Sequence, residues 1–274
     1  MRQNKIMKIK PRVSVIMAVY NADIYLEESI KSILNQSFAD FEFLIVDDCS
    51  KDDSPNTLKA FSLIDSRIKV YTNKENLGLT KNLNKLIQIS KGEYIARMDA
   101  DDVSLPERFK EQVEYFESHS DIDIIGTFSR NISNSGVVIG HRKVPVTHSE
   151  ILKLLPKLNP MSHPTVMFKA SSIRQVGGYD ERYRTSQDFH LWFKAIGNGL
   201  KINNIPKVLF EYRMNDSYVS RKSFKYRLNE FKIKLDGYKL INHPWYKYHQ
   251  ALISLVLAII PPFLFSQLKK LDPR

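Results

Sequence analysis

The sequence predicts an α/β fold: a mostly parallel central sheet with helices on both faces, followed by a basic, helical C-terminal tail. Two observations carry that expectation. Through the first hundred residues, apolar runs of strand length alternate with segments whose apolar residues recur at helical spacing. Such alternation is the pattern of strand–helix–strand crossovers in a parallel sheet. The strand-like runs are also continuous, as expected of strands buried on both faces.

The elements follow in order. Val13–Val19 (VSVIMAV) is the first strand. From Ala22 the period changes, and Leu26, Ile30, Ile33 and Leu34 share one helical face with Asn21 placed as its cap. Phe43–Val46 is a second strand ending at Asp47 and Asp48, a helix is expected from Pro55, and Ile68–Tyr71 reads as a third strand. Thr80 is placed to cap a helix presenting Leu83, Leu86 and Ile87, and Tyr94–Met98 is a fourth strand closing at Asp99. Ser104 and Glu107 have capping-box spacing ahead of a helix through Phe116. Beyond about residue 120 the pattern loosens into short strand candidates: Ile122–Ile125, Val137–Ile139, Thr165–Phe168 and Val208–Tyr212. There is no internal repeat and no clear linker before about Asn215.

Composition narrows the class. With 274 residues the chain is long enough for one large α/β domain and a modest appendage. Hydrophobic residues make up 43% and charged residues 26%, ordinary globular usage that excludes global disorder. The single cysteine, Cys49, excludes an intramolecular disulfide and suits a reducing compartment. Met1–Lys10 is basic and lacks the apolar stretch of a signal peptide, so a cytoplasmic protein is expected. Residues 201–274 hold 14 of the 41 Lys and Arg but only 5 of the 30 Asp and Glu, so nearly all of the +11 net charge sits there. The apolar run Ala251–Phe265, broken by Pro261 and Pro262, lies in that same quarter. It is shorter than the ~20 residues that span a bilayer. Among so many cations it reads as an interfacial anchor on an anionic membrane, or else as a helix packed on the domain.

In a parallel sheet, ligands collect beyond the carboxyl ends of the strands. The loops after Val19, Val46 and Met98 are therefore expected to share one crevice. Asp99-Ala100-Asp101-Asp102 puts three carboxylates in four residues at one of those strand ends. Like charges so close resist ionisation unless a cation joins them. Hard oxygen ligands favour Mg²⁺ or Mn²⁺, and such an ion can bridge a diphosphate leaving group. The alternative is a solvated acidic turn. Asp48 could accept hydrogen bonds from a base or a ribose, or simply form a turn.

VSVIMAVYN (Val13–Asn21), FEFLIVDDCSKDDS (Phe41–Ser54), NLGLTKNLN (Asn76–Asn84) and GEYIARMDADD (Gly92–Asp102) occur in this order, followed by HPTVMF, GGYD, QDFHLW and YRMNDSYVS. Together these segments, across roughly residues 11–220, resemble the inverting family 2 glycosyltransferases of the GT-A fold. They resemble the bacterial branch that builds capsular, exopolysaccharide and lipopolysaccharide repeat units. The resemblance implies transfer of a sugar from a nucleoside diphosphate sugar, with UDP the implied carrier, to a hydroxyl of a saccharide or lipid-linked acceptor. It also implies a divalent metal, Mn²⁺ or Mg²⁺. Asp48 matches the carboxylate that contacts uracil, and Ala18, Tyr20 and Asn21 match the first donor-binding loop. Lys81 matches the segment that holds nucleotide and phosphates. Asp99 and Asp101 match the Asp-x-Asp motif, with Asp101 the direct metal ligand and Asp99 nearer the ribose. Asp188 matches the catalytic base, with Gln187 standing where Glu is frequent. Without the resemblance, Asp188 reads as an ordinary helix cap. His163, Gly178 and Trp192 match positions on the acceptor side. Arg213, with Ser217 and Ser220, matches a loop that closes over the donor phosphates.

The same resemblance divides the chain into a glycosyltransferase domain over residues 1–215, its donor half about 11–120 and its acceptor half about 121–215, and a basic tail over 216–274. Processive relatives carry Gln-x-x-Arg-Trp and several spanning helices; this sequence has neither, so one sugar per encounter is expected at the inner face of the plasma membrane.

Rivals fare worse. A nucleotidyltransferase wants a glycine-rich loop after the first strand, but Ala18–Asn21 contains no glycine. A glycoside hydrolase holds two carboxylates on either side of the scissile bond, not clustered at one strand end. Nucleic acid is not an expected partner, because the crevice is acidic and the tail pairs its cations with aliphatic residues. A non-catalytic nucleotide-sugar-binding relative differs only in turnover.

Overall fold

The computed structural model describes residues 10–214, 224–252 and 254–255. Its strands are β1 (Val13–Val19), β2 (Phe41–Asp47), β3 (Ile68–Thr72), β4 (Tyr94–Met98), β5 (Val103–Ser104), β6 (Ile124–Ile132), β7 (Val138–Arg142), β8 (Met167–Lys169) and β9 (Ile202–Arg213). The helices are α1 (Asp23–Leu34), α2 (Ser54–Ile64), α3 (Leu79–Ile89), α4 (Arg108–Ser118), α5 (His148–Leu154), α6 (Ala170–Gln175), α7 (Gln187–Gly197) and α8 (Phe224–Leu240).

One sheet runs β3-β2-β1-β4-β8-β6-β9-β5, with β7 added to β6. β1 is parallel to both β2 and β4, and β2 to β3. Their C-terminal ends therefore open on one edge. Chain order reverses between β1 and β4, the switch point at which a crevice forms. Val19 lies opposite Asp47 and Met17 opposite Met98, which sets the three predicted loops side by side. The loose pattern after residue 120 has a topological cause: β8 is antiparallel to β4 and β6, whereas β9 is parallel to β6.

The continuous apolar runs are explained by two packed faces. Val13, Val15, Met17 and Val19 meet α1, α2 and α4 through Leu26, Ile30, Leu58, Phe109 and Val113. Ile16, Leu44 and Ile95 meet α3, α6 and α7 through Leu83, Leu86, Ile173, Leu191 and Trp192. α8 lies along α7. An added Cβ on Gly237 would come 2.3 Å from the Phe193 ring, so glycine there permits the close approach. The Tyr238 hydroxyl donates to the Pro156 carbonyl at 2.6 Å. The tail segment Ala251–Phe265 lies mostly outside the described residues. Among the described residues no helix is long and apolar enough to cross a membrane.

Three capping expectations are corrected. Ala22, not Asn21, precedes α1; Asn21 instead adopts φ 49° and accepts the Lys51 N–H at 2.8 Å. Thr80 lies inside α3 behind Gly78, and its hydroxyl donates to the Tyr183 carbonyl at 2.9 Å. Ser104 belongs to β5, and its oxygen is held by Gln36. The capping box is at α5, where Thr147 and Glu150 bond reciprocally.

Candidate active site

β4 delivers the acidic turn to the edge of the crevice. One oxygen each from Asp99, Asp101 and Asp102 lies within 4.8 Å of the others. Asp102 is buried: Oδ1 accepts the Arg213 backbone N–H at 2.8 Å, while Oδ2 has no hydrogen-bond partner. Burial first, then the charges of Asp99 and Asp101, hold its carboxyl well above the usual range. Asp99 ion-pairs with Arg97. Three hard oxygens, one of them buried and unpartnered, fit a Mg²⁺ or Mn²⁺ ion, which would relieve their repulsion.

Arg97 is a buried cation, 2% exposed, on the α3 and α7 face of β4. Its Nε and Nη1 have no hydrogen-bond partner. Beside it, His163 Nε2 and the Tyr179 hydroxyl are 2.7 Å apart. Burial, reinforced by Arg97, pushes the His163 pKa well down, so the imidazole is neutral. Burial raises the Tyr179 phenol; Arg97 opposes this, and the charges of Asp188 and Asp99 add to it. Tyr179 thus sits within electrostatic reach of both the acidic turn and Asp188.

Asp188 is the second residue of α7 and half-buried. Its Oδ2 accepts from Asn159 Nδ2 at 2.6 Å. Asn159 Oδ1 in turn accepts the Trp192 indole N–H at 3.0 Å. Asp48 is buried in the loop after β2. Its Oδ1 accepts from Asn73 Nδ2 and the Leu77 N–H, and its Oδ2 from the Gly78 N–H, each at 2.8 Å. Burial alone would raise its pKa, but hydrogen bonding involving Asn82, Asn73, Leu77 and Gly78 outweighs that and holds it below the usual range. The Asp48 amide donates to the Val19 carbonyl at 2.8 Å, which fastens the first two loops together.

A model of the family described as Glycosyl transferase family 2 matches residues 14–177. The chain belongs to this family. It is 32% identical over 263 residues to the putative glycosyltransferase EpsE of Bacillus subtilis, covering 95% of this chain and 94% of that protein. It is 36% identical over 225 residues to the O-antigen biosynthesis glycosyltransferase WbnJ of Escherichia coli, covering 80% and 86%. Among solved structures, Staphylococcus aureus TarS 1-349 in complex with UDP-GlcNAc matches with a TM-score of 0.66 at 17% identity, covering 91% of this chain and 82% of that one. The mannosyltransferase PcManGT of Pyrobaculum calidifontis, in complex with GDP-Man and Mn²⁺, matches with a TM-score of 0.67 at 17% identity, covering 96% and 80%. The expected GT-A fold is thereby shared with structurally characterised glycosyltransferases.

In this family 2 glycosyltransferase the remaining expected site residues fall in different places. Ala18, Tyr20 and Asn21 follow the β1 side of the crevice, with Tyr20 exposed. Lys81 is exposed on the first turn of α3. Gly178 has φ +59° and carries the chain into Tyr179. His163 is buried against Tyr179 and cannot present its ring at an open surface. Two expectations are corrected. Trp192 is 0% exposed and reaches the site only through Asn159, so it does not face an acceptor. Arg213 ends β9 instead of riding on a loop over phosphates. Its guanidinium is engaged by the carbonyls of Asp101, Ser133 and Asn134 and by Glu28. Ser217 and Ser220 lie outside the described residues.

Sequence inspection did not single out Arg97, Asn159, Tyr179 or Arg184. Arg97 and Tyr179 lie inside quoted motifs, which was the available signal. Arg184 is exposed, and a methyl at Gly78 would come 3.8 Å from its Nη2.

Proposed function

We propose that this glycosyltransferase is inverting and non-processive. It moves a sugar from a nucleoside diphosphate sugar, most readily a UDP-sugar, to a hydroxyl of a saccharide or lipid-linked acceptor in surface polysaccharide biosynthesis. The observation that carries the reading is that the charges of Asp99 and Asp188 both act on the buried Tyr179 hydroxyl, which ties the acidic turn to Asp188. Relatives support the substrate class. One, 30% identical over 261 residues, is an Escherichia coli galactosyltransferase named for UDP-Gal and α-D-GlcNAc-diphosphoundecaprenol.

The chain's own residues divide the work. Hydrogen bonds from Asn73, Leu77 and Gly78 fix the Asp48 carboxylate in the loop after β2, where it is placed to accept from a base N–H of the nucleotide. Ala18, Tyr20 and Asn21 flank that nucleotide. Lys81 and Arg184 supply exposed cations along the path of the diphosphate, Arg with the fork that suits phosphate oxygens. Asp99, Asp101 and Asp102 would hold a divalent ion, Mn²⁺ or Mg²⁺, whose contribution when bound would be to neutralise the departing diphosphate. Asp188 takes the proton of the acceptor hydroxyl as that oxygen bonds to the anomeric carbon. The bond from that carbon to the diphosphate breaks on the opposite side, and the diphosphate leaves with the electron pair. A single displacement inverts the anomeric centre and needs no enzymic nucleophile.

We further propose that the reaction takes place at the cytoplasmic face of the membrane, with the basic tail of residues 216–274 holding the enzyme beside its acceptor. The charge surplus of residues 201–274 supports this.

A donor screen with Mn²⁺ or Mg²⁺, following nucleoside diphosphate release, tests the function. Release is expected with one or a few nucleotide sugars, lost on chelation and restored by the metal. Asp188→Asn is expected to bind donor normally and to lose transfer. Full activity in that variant would remove Asp188 from the mechanism, and no turnover with any donor would leave a non-catalytic binding protein.

A further inference from the structure

We propose that Asn159 is the positioning residue for the Asp188 carboxylate, fixing which oxygen faces the acceptor. The inference rests on the reading of Asp188 as the base.

The orientation of the Asn159 amide is set by chemistry. Its Oδ1 receives the Trp192 indole N–H at 3.0 Å and the Met161 backbone N–H at 3.2 Å. Both groups are donors only. A flipped amide would aim its NH₂ at two N–H groups and its carbonyl at a carboxylate, three unfavourable contacts at once. Nδ2 therefore points at Asp188 Oδ2, 2.6 Å away. A donor so placed fixes the rotation of the carboxylate and takes one lone pair of Oδ2. One lone pair of Oδ2 is taken by Asn159, so Oδ1 is the oxygen assigned to receive the acceptor proton.

The support behind the amide is stiff. Trp192 is 0% exposed, with its ring packed near those of His163 and Phe168 at centroid distances of 6.2 and 6.3 Å. Its N–H cannot swing away without disturbing the core. Pro160 follows Asn159 directly and restricts its backbone toward extended conformations. The relay thus runs from the buried indole through Asn159 to Asp188. The charge of Asp188 acts on the buried Tyr179 hydroxyl, which lies 2.7 Å from His163 Nε2.

The test uses the full chain with UDP-galactose and UDP-GlcNAc as donors, Mn²⁺, and water as acceptor, following UDP release across pH. Donor binding is read separately by titration with UDP and Mn²⁺. For N159A, kcat is expected to fall by roughly 10- to 100-fold with donor KM within about twofold, the cost of a misaimed catalytic group. N159D is expected to be worse, because two facing carboxylates would hold one proton between them. W192F, which keeps the ring but removes the donor, falls between wild type and N159A. An N159A protein with wild-type kcat overturns the proposal, as does a loss confined to KM or thermal stability. Full turnover in D188N would instead defeat the reading of the base, a distinguishable failure.

Discussion

Asp102 Oδ1 accepts the backbone N–H of Arg213 at 2.8 Å, and the Arg213 side chain returns to the same turn by donating Nε–H to the Asp101 carbonyl at 2.8 Å. The end of β9 is thereby clamped to the acidic turn after β4, across 111 positions of sequence. The clamp explains why a buried arginine sits beside carboxylates that would hold a metal: it fixes the turn's backbone and leaves Asp102 Oδ2 unpartnered.

Removing that side chain should loosen the turn. Arg213→Ala loses its bonds to Asp101, Ser133, Asn134 and Glu28 and its stacking over the Tyr25 ring at 4.2 Å. A loss of about 2–4 kcal/mol in unfolding free energy is expected from a buried, multiply bonded cation. Mn²⁺ activation should shift to roughly tenfold higher concentration, as when groups behind metal ligands are removed. Arg213→Lys should recover little, because an ammonium cannot reproduce the fork. Denaturation and metal titration check this; unchanged metal activation would mean that the clamp does not serve the turn.

The loop carrying Tyr179 is held by Asn84, whose Oδ1 accepts the Tyr179 N–H at 2.8 Å and whose Nδ2 donates to its carbonyl at 2.9 Å. Gly178 has φ +59°, and a Cβ there would come 2.5 Å from Asn84 Oδ1. Gly177 has φ +72°, but a Cβ would meet only Lys194 Nζ at 3.7 Å. Both Gly→Ala changes incur the left-handed penalty of about 1–3 kcal/mol. Only Gly178→Ala also displaces Asn84 and with it Tyr179. Gly178→Ala should therefore cost more stability and more turnover than Gly177→Ala. Equal effects would show that the Asn84 contact does not matter.

These cases mark what was legible in the sequence. β1, β2 and β4 were readable because both faces of each strand are buried, leaving an unbroken apolar run, and the acidic turn was readable because its three carboxylates are local. Thr80, Ser104 and Trp192 were misjudged because their partners are remote: Tyr183 lies 103 positions from Thr80, and Asn159 lies 33 from Trp192. A hydroxyl near a helix start satisfies the local capping pattern whether or not tertiary contacts claim it. Asn159 carries no motif at all; its importance comes only from the two N–H groups that fix its amide.

The proposed membrane contact has a visible starting point. Trp245 is 82% exposed and Tyr246 61%, with Lys247 close to the Tyr246 ring. Exposed aromatics beside cations suit the headgroup region of an anionic bilayer. A chain ending at Ile241 retains α8 and should lose flotation with anionic vesicles while keeping its fold. Lys247→Ala should weaken binding by about fivefold at low salt, since a cation near such a surface contributes about 1 kcal/mol. Added salt should weaken the wild type as well. Vesicle binding unchanged by the truncation would remove the tail from the proposal.

Acid stability provides an independent check on the sheet beneath the site. Glu42 is buried on β2, where Oε1 accepts from the Ser14 hydroxyl and the Lys91 N–H at 2.7 Å each, and Oε2 meets Lys69 Nζ. Burial alone would raise its pKa, but hydrogen bonds from Lys69, Ser14 and Lys91 outweigh that and hold it below the ordinary value. A carboxyl depressed in the folded state binds protons more readily when unfolded. Its stabilisation is therefore full above the unfolded pKa of about 4.3 and is lost as pH falls through the lower folded value. Glu42→Gln should be less stable than wild type by about 1–3 kcal/mol near neutrality, the cost of disturbing hydrogen bonds to a buried charge. As pH falls below about 4 the gap should narrow, and it closes once the folded wild-type carboxyl is protonated as well. Denaturant midpoints measured near neutrality and in acid decide the matter: a gap of equal size at both would show that the ionised Glu42 carboxylate is not what fastens Ser14 and Lys91 together.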